Sequence, residues 1–171
     1  MLTCTREPVS GVVSRLAQPP GVRSTRRRDG TAGEGGTWVP ARDSAGDGGS
    51  HYAHEIARVL RGAPSIEIAV TKAELATKLR RATQGLLTFG ADGDVDQMSV
   101  APRVLEIRIK SVKAVGFSLH IRLYFTEPAH EPGCLLMLLL EGKSPGRIGL
   151  EEQNDHARAA DLRIDRHYGI V

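Results

Sequence analysis

The sequence predicts an α+β fold in which a helical pair and a C-terminal helix pack on a small, mostly antiparallel, twisted sheet. Three observations predict it. Apolar residues recur at helical spacing between 51 and 87. The period then switches to two over 104–126. An unbroken apolar run, Cys134–Leu140, precedes a last stretch, 151–168, in which helical spacing returns.

Composition sets the limits of the folded part. The chain has 171 residues, with 23 Lys+Arg against 20 Asp+Glu and a formal net charge of +3. Among residues 1–50, 13 are Gly or Pro and Trp38 is the only aromatic. Such a segment buries too little apolar surface to offset a chain entropy of about 1–2 kcal/mol per residue. Residues 1–49 therefore read as a disordered low-complexity tail, or as the product of a translation start placed upstream of the true one. Residues 50–171 read as the domain. The run Arg26–Arg28 reads as a solvated charge cluster, with RNA or an acidic surface as the alternative contact. The domain itself is nearly balanced in charge, so total charge does not mark a nucleic-acid binder. Seven apolar residues in a row are far short of the roughly 20 that span a bilayer, and no membrane partner is expected. The arginines scattered through the first thirty residues speak against a secretory signal. Two cysteines, Cys4 and Cys134, make no disulfide framework, and zinc-ligand spacing is absent. No metal and no other cofactor are expected, and a reducing cytoplasm is the expected location.

Each element has a local reason. Ser50 caps a helix over His51–Arg61, with Ile56, Val59 and Leu60 on one stripe and Gly62 as its stop. Ile66–Val70 is short, alternating and β-branched, which allows a strand. Thr71 followed by Glu74 reads as a capping box that opens a helix to about Leu87. Gly90–Asp96 reads as a loop. In Val104–Lys110, Leu105, Ile107 and Ile109 share a face opposite Glu106, Arg108 and Lys110. In Ser118–Thr126, Leu119, Ile121, Leu123 and Phe125 lie opposite His120, Arg122 and Tyr124. Cys134–Leu140 reads as a central strand covered on both faces. The three runs suggest a meander with one face on helices and the other partly open. After a Gly142–Gly149 loop, Glu151–Tyr168 closes the chain as a helix.

The order of short motifs carries a resemblance. Leu-Glu-Ile-Arg (Leu105–Arg108) is followed by Ile-Arg-Leu-Tyr-Phe (Ile121–Phe125). An apolar strand then ends in Leu-Glu-Gly-Lys (Leu140–Lys143), and a helix follows with Glu-Gln-Asn-Asp-His-Ala (Glu152–Ala157). From about residue 70 to 168 the chain resembles the RelE/HigB/ParE superfamily of toxins from bacterial type II toxin–antitoxin systems, and most of all its HigB-like, phage-derived branch. Family members usually open with a strand before the helical pair, which Thr37–Val39 or Ile66–Val70 would supply. Their loop lysine is often doubled, whereas Lys143 here precedes Ser144.

The chemistry follows from residue types. Cleaving RNA without a metal needs a base for the ribose 2′-hydroxyl, cations for the phosphate, and an acid for the leaving 5′-oxygen. Arginine suits the phosphate because its planar fork binds bidentately and stays charged. Arg108, Lys110, His120 and Arg122 fall on the face opposite the apolar stripes and form a converging positive patch if their strands pair in antiparallel register. Resemblance matches Arg122 to the arginine that holds the scissile phosphate, and Arg108 to an arginine of structural role. An ordinary cross-strand salt bridge of Glu106 with Arg108 or Arg122 is the alternative. Resemblance also sets His167 and Tyr168, at the end of the last helix, over the active site with Arg122. Two rings in a frayed terminal turn are the alternative. Lys143 and Arg147 are candidate RNA contacts on the loop before that helix. His130 reads as a surface residue. His51 and His54, three apart, lack a third ligand. Cys134 reads as a small core residue.

The resemblance implies a type II toxin that cuts messenger RNA on the ribosome without a metal. The expected partners are the ribosome, its messenger, and a cognate antitoxin, commonly a small helix-turn-helix protein. A ParE-like gyrase inhibitor without catalysis, or a non-toxic prophage remnant or interaction module, are the alternatives.

Overall fold

The computed structural model describes residues 33, 35–42, 51–90, 93–114 and 117–170, of which 110–114 and 117–118 as backbone alone. The elements are β1 (Thr37–Pro40), α1 (His51–Val59), α2 (Ser65–Thr83), β2 (Val95–Gln97), β3 (Leu105–Ala114), β4 (Phe117–Thr126), β5 (Cys134–Lys143) and α3 (Gly146–Tyr168). Among the described residues they form an α+β fold, with three helices on one sheet of order β1–β5–β4–β3–β2. Only β1 runs parallel to its neighbour, β5; the other pairs are antiparallel.

Both faces of the sheet are covered, where the sequence suggested one partly open. Leu105, Ile107, Ile121, Leu123, Phe125, Leu135 and Leu140 pack with Leu60, Leu75 and Ala82 of the helical-pair side. Tyr124, Leu136, Leu138 and Leu139 pack with Ala157, Ala160, Ile164 and Tyr168 of α3. The near-continuous apolar run of β5 is what a strand buried on both sides requires. A bulge opposite Tyr124–Phe125 shifts the β4–β5 register by one residue. It turns Leu138 and Leu139 to the same layer.

The largest departure from the sequence reading lies in the supposed tail, whose boundary at residue 49 does not hold for residues 35–42. Thr37–Pro40 pairs with Cys134–Met137, and the indole of Trp38 donates to Leu79 O at 3.0 Å while standing edge-on to Phe125. The glycines before it answer a need for close approach. A Cβ on Gly35 would come within 2.0 Å of Thr83 O, and one on Gly85 within 2.2 Å of Gly33 O. Gly85 (φ 65°) also closes α2, with Leu86 N–H bonded to Arg81 O and Gly85 N–H to Ala82 O. Gly-rich composition here records backbone packed on backbone, which composition alone does not separate from disorder.

Three further readings change. Ile66–Val70 is helical, because α2 starts at Ser65 after Pro64. Thr71 therefore lies inside the helix, buried, and caps nothing. The supposed Gly90–Asp96 loop ends in β2, which pairs Val95–Gln97 with Ile107–Leu105. The last helix starts at Gly146, earlier than Glu151. Ser50, Arg26–Arg28 and Cys4 lie outside the described residues. Cys134 is disulfide-bonded, so the cysteines no longer argue for a reducing compartment. Among the described residues, no helix is long and apolar enough to cross a membrane.

The free stretch of β5 beyond β1 is sealed by side chains. Glu55 of α1, buried, accepts from Leu140 N–H at 2.8 Å. Arg163 of α3 donates to both Glu55 and Leu138 O. The ion pair thus links the two helical layers past the sheet edge and satisfies backbone groups that would otherwise be orphaned. Arg103 fixes the other flank of α3 through paired bonds to Asp161 and Asp165.

Candidate active site

The register sets the site. β3 and β4 place Arg108 opposite Arg122 and Glu106 opposite Tyr124. β4 and β5 place His120 opposite Lys143 and Arg122 opposite Glu141. Strand alternation puts Glu106, Arg108, His120, Arg122, Tyr124 and Lys143 on the α3 side of the sheet. Gln153, in the second turn of α3, reaches into this group. Its amide N–H donates to Glu106 Oε2 at 2.6 Å, and its Oε1 accepts from the Lys143 ammonium.

Glu106 is the hub, 1% exposed. Its Oε1 faces Arg108 Nε at 3.4 Å and Arg122 Nε at 3.5 Å. The salt bridge weighed as an alternative for these residues is therefore present. The two arginines differ in how far they are spent. Arg108 also bonds Asp96 Oδ2 and Gly90 O. Arg122 donates through Nη1 to Ile121 O, and its buried Nε has no hydrogen-bond partner. The Tyr124 hydroxyl and His156 Nδ1 are likewise buried without a partner, and their rings meet edge-to-face at 6.2 Å between centroids.

Burial and mutual repulsion set the electrostatics. Burial lowers the Arg122 pKa; Glu106 opposes this and Arg108 adds to it. Burial, then Arg122, brings the Lys143 ammonium below its ordinary value. His120 is lowered by burial, then by the Arg122 and Lys143 charges, which keeps its imidazole neutral near pH 7. Burial drives the Tyr124 hydroxyl upward, and it stays protonated. This face gathers three cations, Arg108, Arg122 and Lys143, about the Glu106 carboxylate with a neutral imidazole beside them, groups that can anchor an anion and move a proton.

His167 and Tyr168 do not join this group. Gln153 marks the site on α3, and the fourteen residues from it to His167 span about 21 Å at 1.5 Å per residue. At that far end His167 Nδ1 accepts from Arg42 N–H at 3.2 Å, and Tyr168 OH donates to Glu131 Oε2 at 3.3 Å. Both rings are buried, so they are not a frayed turn either. His130, read as a surface residue, is half-buried against Tyr168 at 4.8 Å between ring centroids. The physical reason for the separation is the length and direction of α3, which leaves the Lys143 end of β5 and runs back along the sheet.

The remaining candidates scatter. Arg147 projects from the start of α3, highly exposed, toward Glu151. Lys110 lies in β3 beside the irregularity between Arg108 and Ser111, and its side chain is outside the described residues. His54 is exposed on α1 and His51 half-buried. Among the described residues, no three His, Cys, Asp or Glu side chains gather to hold a metal. Sequence reasoning missed Gln153 as the link between Lys143 and Glu106, although it lies in the motif Glu152–Ala157. It also missed Asp96, which binds Arg108 from a strand that had been read as a loop. The chain matches no family model, no curated protein and no solved structure.

Proposed function

We propose that the chain is a toxin of the RelE/HigB-like kind, an endoribonuclease that cuts messenger RNA on the ribosome and is restrained by a cognate antitoxin, a small helix-turn-helix protein. One observation carries the reading: Arg122, Lys143 and His120 lie together on one sheet face, with the Arg122 guanidinium only partly engaged. In this reading Arg122 grips the scissile phosphate, Lys143 adds charge, and Glu106 with Gln153 holds both in place. Arg108 is a structural arginine, since its donors are taken by Asp96, Glu106 and Gly90 O. The presence of β1 ahead of the helical pair also supports the resemblance. A site with so few catalytic groups gains most of its rate from positioning, which the ribosome would supply. Inducible expression of the full chain tests this. Message fragments with defined ends, mapped by primer extension, are expected from the wild type and not from Arg122→Ala. Equal cleavage by both removes the assignment.

The distance of His167 and Tyr168 from Arg122 favours one second reading, a ParE-like toxin that inhibits gyrase by binding. It predicts a DNA-damage response and intact messages.

A further inference from the structure

We propose that His120 and Lys143 form a cross-strand base–acid pair, in which His120 takes the ribose 2′-hydroxyl proton and the Lys143 ammonium gives one to the departing 5′-oxygen. The proposal rests on the RNase reading above and assigns proton movements that the reading leaves open. Residues paired directly across antiparallel strands have Cβ atoms about 4.5–5.5 Å apart, and His120 pairs directly with Lys143. Both share a face with Arg122, two residues along β4 from His120. The pair therefore flanks the place where Arg122 would hold a phosphate. His167, the nearer of the other candidates for this work, stands about 21 Å along α3 from Gln153, which touches Lys143.

The surroundings suit each role. Among the described residues, the charged or titratable groups on this side of the sheet around the pair are Arg122 and Tyr124 on β4, Lys143 and Glu141 on β5, Glu106 and Arg108 on β3, Asp96 on β2, and Glu152 and His156 on α3. Burial first, then the Arg122 and Lys143 charges, holds His120 below its ordinary value and ready to accept a proton. Burial and Arg122 make the Lys143 ammonium a better acid than a free one. Gln153 Oε1 holds that ammonium in place. The step balances without a metal or an oxidant. The 2′-oxygen loses its proton to His120 and bonds to phosphorus, forming a 2′,3′-cyclic phosphate. The P–O5′ bond breaks, and its electron pair takes the proton from Lys143. Solvent then removes the proton from His120 and restores that of Lys143.

The test uses the full chain, ribosomes programmed with a short synthetic message, and the same message carrying a 5′-bridging sulfur at the cut site. Sulfur leaves without needing a proton. His120→Ala is expected to lose about 10²–10⁴-fold in rate, together with the acid limb of the pH–rate profile, and added imidazole restores part of the rate. Lys143→Gln is expected to lose a similar factor on the oxygen message and to recover on the sulfur message, on which His120→Ala stays slow. His54→Gln, on the far side of the sheet, matches the wild type. These rescues read chemistry and would not follow from a folding defect. A His120→Ala chain that cuts at the wild-type rate with its acid limb intact overturns the pair and leaves the RNase reading standing. Lys143→Gln that is equally slow on both messages does the same. A wild-type chain that leaves every message whole overturns the RNase reading and the pair with it.

Discussion

The two ends of β5 hold similar side chains and use them differently. At the Lys143 end, His120, Arg122 and Lys143 crowd over a buried carboxylate, and polar atoms are left short of partners. At the Cys134 end, His167 and Tyr168 are fastened, one by the Arg42 amide and the other by Glu131, with their rings packed edge-on at 4.8 Å. A histidine and a tyrosine near a C-terminus look catalytic by type, yet hydrogen bonds already made leave them little to offer a substrate. A guanidinium that donates a single hydrogen bond, from Nη1 to Ile121 O, keeps further N–H donors for a phosphate oxygen.

Removing the less engaged of the two arginines is the strongest way to break the contrast. On the proposed RNase reading, Arg122→Ala is expected to lower message cleavage by about 10²–10³-fold, the usual cost of one preorganised donor. Arg108→Ala, mapped by the same primer extension, is expected to lose less than about tenfold, since Arg108 donors face protein oxygens. Equal losses would show that the difference in hydrogen bonding between the two arginines does not matter.

The girder between the two ends gives the next largest effect, on stability. Glu55→Ala leaves Arg163 and Leu140 N–H without their buried partner, and a loss of about 3–5 kcal/mol in urea unfolding is expected. The double variant Glu55→Met/Arg163→Met is expected to regain most of it, because no uncompensated charge then remains. Should the double variant be as unstable as the single, the pair would be contributing more than mutual neutralisation.

These effects rest on features that were unequally legible in the sequence. The strands β3 to β5 and the facing of Glu106, Arg108, His120 and Arg122 could be read, because a period of two writes the sheet face directly into the chain. The grouping of Arg122 with Lys143 could not be read, because Lys143 looks like a loop residue in sequence and only the extension of β5 to Lys143 sets it opposite His120. Glu55 and Arg163, 108 residues apart, carry no local signal, and neither does the return of α3 along the sheet. The β1 strand is offered only through the resemblance, as Thr37–Val39 or Ile66–Val70, because four residues among glycines have no period and its stability comes from pairing with β5. Side-chain types near the C-terminus suggested a role for His167 and Tyr168, but only three-dimensional distance separates them from the cations.

At the quiet end, Tyr168→Phe removes one hydrogen bond, to Glu131. About 1 kcal/mol of stability is expected to go, with cleavage changed by less than about twofold. A large loss of cleavage with unchanged unfolding would return Tyr168 to the active site and erase the contrast between the ends.

The smallest effect tests whether charge alone, at the active end, is enough to matter. Lys78 and Arg81 lie near Arg108 but are already answered by Asp94, at 3.3 and 3.0 Å. Burial pushes the Asp94 carboxyl up, and the Thr88 amide with the two cations more than offsets it, so the group sits below its ordinary 3.8. A carboxyl depressed by folding stabilises the native state above its unfolded pKa, and that stability is lost as pH falls through the lower folded value. Asp94→Asn is therefore expected to cost about 1 kcal/mol at neutral pH. The gap to wild type should hold down to about pH 4 and close below it in acid unfolding curves. Message cleavage should scarcely change, because Lys78 and Arg81 are charges the fold holds for itself. A fall in cleavage comparable with that of Arg122→Ala would mean that the loop before β2, and not the β4–β5 pair alone, shapes the surface on which the phosphate lies.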